Sequence, residues 1–187
     1  MTQEEFESRI AEFDNSEPMR SQLYGMGLRL IGSEYEIEAY LLILATWNFA
    51  RFRYVTRTFD LNRFRETIAA IGPIFQRLGN ASIEGADLNR LGSDIKGIYS
   101  QLKPLVQQTG ASKIMHFKQP RLFIMWDTDI RTHYHIPATA SADDYLSFLT
   151  LMKATFGHLQ WNRNDKTFAK AIDEYNFLLV HGDEENA

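Results

Sequence analysis

Apolar residues recur at helical spacing along almost the whole chain. Phe6, Ile10 and Phe13 form one stripe, and Thr2 with Glu5 supplies a capping box in front of it, so a helix is predicted from there to about Asn15. A second helix follows from about Pro18 to Leu30, weakened by Gly25 and Gly27 and stopped at Gly32. Ser33 with Glu36 reads as another capping box, opening a long helix to about Arg57. That helix is apolar nearly all round between Ile37 and Phe49, which places it in the middle of the fold. Asp60 caps the next segment, LNRFRETIAAI, and Gly72-Pro73 is expected to kink or end it before IFQRLGN.

Residues 80 to 92 read as irregular. Ser93 is then expected to cap DIKGIYSQLKPLV, with Ile95, Ile98, Tyr99 and Leu102 as its buried stripe. The turn Gln107-Gln108-Thr109-Gly110 leads to a short helix, Ala111 to Phe117. KQPRLFIMW is extended because Gln119 precedes a proline. Asp127 starts TDIRTHYH, Ser141 with Asp144 opens a helix to about Phe156, and residues 165 to 181 close the fold. With no sustained strand and no repeat, the pattern predicts an all-α protein of roughly ten helices.

Composition narrows the functional classes. One domain over residues 1–182, arranged as two lobes with a cleft between them, suits this length, and 183–187 reads as a loose acidic tail. There is no cysteine, which excludes disulfides, thiolate zinc sites and a cysteine-held iron–sulfur cluster. The acidic start Met1–Glu5 lacks signal-peptide character, and the longest apolar run, Ala39 to Ala50, is too short for a bilayer. The expectation is a soluble, cytoplasmic protein with no membrane partner. A net charge of −4 argues against nonspecific nucleic-acid binding over the whole surface. Arg51, Arg53, Arg57, Arg63 and Arg65 nevertheless gather in one stretch.

Two segments carry candidate chemistry. A helix, a glycine turn and a second helix can point backbone N–H groups at a phosphate, although the same turn also serves as a plain connector. After it, Pro120 and an apolar run deliver Asp127 into WDTDIR. Aspartate in that position is a strong helix N-cap. It is also a carboxylate that could face a cleft.

Together LVQQTGASK, Pro120 and WDTDIR with Asp127, Thr128 and Arg131 resemble the helix-hairpin-helix DNA glycosylase superfamily. The resemblance implies an orthogonal multi-helix bundle and a monofunctional N-glycosidic bond hydrolase acting on a damaged or modified base. It implies no cofactor and no metal, with DNA or a modified nucleoside as partner. Asp127 would be the catalytic carboxylate. Gln108, Thr109, Gly110, Ala111, Ser112 and Lys113 would grip a phosphate, and Arg53 and Arg57 would support it. Trp47, Asn48 and Trp126 would contact the base. Aligned on Gly110, Ser112 stands where bifunctional members carry a nucleophilic lysine, and Lys113 falls about 100° round the helix from it. Hydrolysis without lyase chemistry is therefore expected. The alternative is a non-enzymatic nucleic-acid- or protein-binding module that keeps the fold, which the acidic charge and the missing first hairpin glycine favour. His133 and His135, two apart, would face different ways on a helix, so no metal pair is expected there.

Overall fold

The computed structural model describes residues 1–47, 53 and 56–182, and among these it is all-helical, with eight helices. The first two are α1 (Gln3–Ser16) and α2 (Pro18–Leu30). Thr2 and Glu5 close the expected capping box on α1, and Pro18 sits in the first turn of α2, where a missing N–H costs nothing. Helix α3 is described over Glu36–Trp47, and it is not buried all round as expected: Ala39, Tyr40, Ile43 and Leu44 face the core, while Glu38, Leu42 and Thr46 are exposed. Its expected capping box does not form. The Glu36 carboxylate instead accepts from Gly32 N at 3.1 Å and from the Tyr40 hydroxyl at 2.9 Å, while Ser33 Oγ donates to Leu30 O. The expected run of this helix to Arg57 lies largely outside the described residues.

Asp60 caps α4 (Leu61–Leu78) as expected, but the helix runs through Gly72-Pro73 without ending. Ile71, Phe75 and Leu78 keep one buried face across the proline, so packing outweighs the lost hydrogen bond. The larger correction concerns α5 (Leu88–Lys118). It starts not at Ser93 but at Asp87, whose side chain accepts from Asn89 N and Arg90 N. It is divided at a single residue: Gln107 takes φ 60° and ψ −178°, and helix resumes at Gln108. The expected four-residue turn is thus a one-residue break. The hairpin is made by two arms of α5 rather than by a loop.

The segment expected to be extended instead opens with a turn over 119–122, where Leu122 N donates to Gln119 O at 3.1 Å, before the irregular stretch 123–127. Then come α6 (Thr128–His133), α7 (Ala142–Phe156) and α8 (Phe168–His181), capped by Asp127, Ser141 and Thr167. Helix α5 packs on α4, α7 and α3, and α8 packs on α1 and α6. One cluster of buried side chains, from Phe6 to Ile172, runs through all eight helices. Two glycines let helices approach closely. A Cβ at Gly27 would stand 2.8 Å from Phe117, and one at Gly110 would stand 3.0 Å from Leu44 on α3. No described helix is long and apolar enough to cross a membrane.

Candidate functional site

Leu122, Phe123, Ile124, Met125 and Trp126 are all buried, although their backbone belongs to no helix or sheet. Buried carbonyls and amides need partners, and here side chains supply them. His116 Nδ1 donates to Phe123 O at 2.6 Å, the Tyr145 hydroxyl to Ile124 O at 2.9 Å and the Thr167 hydroxyl to Pro120 O at 2.6 Å. Trp126 N donates to Ser112 Oγ at 3.2 Å. Since Phe123 O can only accept, His116 carries its proton on Nδ1, and Nε2 accepts from the Tyr24 hydroxyl at 2.9 Å. Burial holds the imidazole neutral, pushing its pKa down to about 4. His116 is therefore a structural clamp on the segment that delivers Asp127.

Asp127 emerges half-buried at the end of this segment. Its Oδ1 accepts from Asp129 N and Ile130 N, both at 2.9 Å, and so caps α6. Its Oδ2 lies 3.4 Å from His181 Nε2 on α8. The carboxylate also borders a cavity of about 380 Å³. Asp127 thus caps a helix and lines the cavity at once.

The cavity draws on most of the fold. Phe13 comes from α1, Glu17 from the junction of α1 and α2, Arg20 from α2, Trp47 from α3, Lys113 from α5, and Lys170, Asp173, Phe177 and His181 from α8. Phe13, Lys170 and Asp173 are its most buried members apart from the linker and Ile130. Lys113 donates a short hydrogen bond to Trp47 O. Desolvation lowers its pKa to about 8, against the pull of Asp127 and Asp173. Arg20 bonds Glu17 at 2.8 Å and lies 4.4 Å over the Phe177 ring. Aromatic walls, a low-pKa amine and a carboxylate thus share one concave space.

The structure sorts the sequence candidates. Asp127, Trp47 and Lys113 line the cavity together. Trp126 touches it, but its ring is packed among Tyr145, Phe148 and Tyr99 at 4.9 to 5.9 Å, and its indole N–H donates to Gln108 O at 3.2 Å. It is a wall support, not a free stacking face. Thr109, Gly110, Ala111 and Ser112 are buried and face protein, which corrects their expected role as a phosphate grip. Ser112 is spent on Trp126 and on Thr109 O. Thr109 Oγ1 accepts from the buried Arg131 at 3.3 Å. Gln107 and Gln108 of the expected turn stay half-buried, in a separate hollow with Lys103 and Ser141. Arg53 and Arg57 are exposed and away from the cavity lining, and Asn48 lies outside the described residues. His133 and His135 are exposed.

Sequence reasoning missed Arg20, Lys170, Asp173 and His181. The one signal was the charge pair at Lys170 and Asp173 inside the apolar run FAKAIDEYNFLLV. Asp127, Asp129 and His181 each bring a ligand atom within 4.8 Å of the others, the one such group among the described residues that could hold a metal ion. The chain matches no protein-family model, no curated protein and no solved structure in comparisons with each.

Proposed function

We propose that the chain is a DNA glycosylase-like protein that hydrolyses the N-glycosidic bond of a damaged or modified base. The observation that carries this reading is the meeting of Asp127 with Trp47 and Lys113 around one cavity. Its volume, about 380 Å³, lies within the usual range for small-ligand pockets. A base swung out of a helix could enter it and stack on the aromatic side chains. As the bond to the base lengthens, positive charge grows on the sugar, and the Asp127 carboxylate would stabilise it. Water then attacks the anomeric carbon. The base leaves with the bond electrons and is protonated, while the proton of the attacking water passes to Asp127.

Lys113 favours a second route at the same site. A lysine whose pKa is lowered to about 8 is partly an unprotonated amine at neutral pH. It could attack the sugar C1′ in place of water, the base leaving with the bond electrons and taking a proton; opening of the ring at the C1′–O4′ bond, with a proton passing from the amine to O4′, would then give an imine. This reading revises the expectation drawn from Ser112, which is buried and bonded to Trp126. The two routes separate in one assay. A panel of oligonucleotides with oxidised, deaminated and alkylated bases, and the free nucleosides, is incubated with the protein with and without borohydride. Base release with no trapped adduct supports hydrolysis. A trapped adduct lost in Lys113→Met supports the amine. No release from any substrate would leave the alternative, a binding module with this fold.

A further inference from the structure

The lining of the cavity includes an ion pair that neither route uses. Lys170 and Asp173, one turn apart on α8, are 5% and 7% exposed, and both line the cavity. Lys170 Nζ donates to Asp173 Oδ2 at 2.8 Å and lies 3.6 Å from Glu174 Oε1. It stands 4.9 Å from the Tyr24 ring centroid and 5.5 Å from that of Phe13. Burial opposes its charge, but Asp173 and Glu174 outweigh burial and keep it an ammonium.

Holding α8 in place does not require this pair. Apolar side chains of similar volume commonly stabilise a helix contact as well as a buried ion pair or better, because desolving two charges costs so much. Glu174 already has a second cation, Lys166, at 2.6 Å, and Lys166 is itself held by Asp14 at 2.5 Å. The outer part of the network is therefore complete without Asp173. Among the described residues, Asp173 accepts a hydrogen bond from Lys170 alone. A carboxylate offers about four acceptor positions and an ammonium three donors. The cavity thus presents an acceptor and a donor side by side among its most buried lining residues.

We infer that Lys170 and Asp173 form the recognition edge of the cavity and select a planar heterocycle with a lactam edge: its ring N–H donates to Asp173 and the adjoining C=O accepts from Lys170. The nature of the ligand rests on the base-excision reading proposed above. The pair itself does not. A base already cationic through alkylation would meet two ammonium-bearing side chains, Lys113 and Lys170, and gain nothing from the donor. A base whose ring nitrogen is methylated would leave Asp173 without its partner in a desolvated place. Sites built to hydrogen-bond a ligand reject analogues that lack the group far more strongly than apolar pockets reject a missing methylene.

The test is equilibrium binding of free bases to the full chain, by calorimetry. Hypoxanthine and uracil are the lactam probes, and 1-methylhypoxanthine and unsubstituted purine are the comparisons. The lactams should bind roughly a hundredfold tighter than the comparisons. The double variant Lys170→Met with Asp173→Leu replaces the pair by apolar groups that fill the space. It should fold, by circular dichroism and thermal melting, and lose the preference. Equal affinity for the methylated and unmethylated lactams, no lactam binding, or a folded double variant that keeps the preference would overturn the inference. Binding needs no bond cleavage, so the two proposals fail separately. Lactam preference with no excision on any substrate would remove the glycosylase reading alone. Excision confined to bases without a lactam edge would remove this inference alone.

Discussion

Lys113 shows how one side chain's setting decides its chemistry. It is one residue from Ser112, yet Ser112 is fully buried and binds the Trp126 backbone, while Lys113 reaches the cavity. Alignment on Gly110 put Ser112, and not Lys113, in the nucleophile's place, because sequence offers no way to see which way a helix is turned. Here the turn is set by Gly110 lying against Leu44. With its pKa lowered to about 8 by burial, Lys113 should react with amine-directed reagents half-maximally near pH 8, about two units below ordinary lysines. Labelling followed by peptide mass mapping checks this, and a midpoint shared with surface lysines would contradict it. Ser112→Ala should cost about 1–3 kcal/mol in chemical denaturation, since it orphans a buried N–H. If base release occurs, its rate should be little changed, because Ser112 does not line the cavity.

At the scale of elements, the break in α5 aims the second arm at α3. Gln107 holds φ 60° with ψ −178°, a region that glycine occupies freely and other residues occupy at a cost of about 1–3 kcal/mol. Gln107→Gly should therefore stabilise the chain by about 1 kcal/mol, after allowing for the freer unfolded state of glycine. A lower midpoint in urea would show that the glutamine is not strained. The neighbouring glycine behaves oppositely. Gly110→Ala puts a Cβ 2.8 Å from Val106 and 3.0 Å from Leu44, so it should destabilise by about 1–3 kcal/mol despite the better helix propensity of alanine. Much at this scale was legible in sequence: the Thr2–Glu5 box and the caps at Asp60, Asp127 and Ser141 are local hydrogen-bond patterns. The failures were tertiary. Asp87 took the cap assigned to Ser93, and α4 ran through Pro73 because its buried face was continuous.

Across the whole molecule, the cavity joins α1, α2, α3 and α8 to a linker and two helices from the middle of the chain. Asp127 was legible because a cap and an apolar approach are adjacent in sequence. Lys170, Asp173 and His181 were not, because the stripe Phe168, Ile172 and Tyr175 gives no sign that α8 also buries charges on another face. The linker explains how the carboxylate is held. Four side chains, from α5, α7 and the N-cap of α8, bond its backbone, so Asp127 is fixed by the core. Asp127→Asn separates its two roles, because asparagine caps a helix as well as aspartate but carries no charge. The most direct measurement is single-turnover base release by wild type and Asp127→Asn on the best substrate of the damaged-base panel. Release by wild type should fall about a hundredfold or more in the variant, with an unchanged melting temperature. Equal rates in the two proteins would contradict a catalytic Asp127.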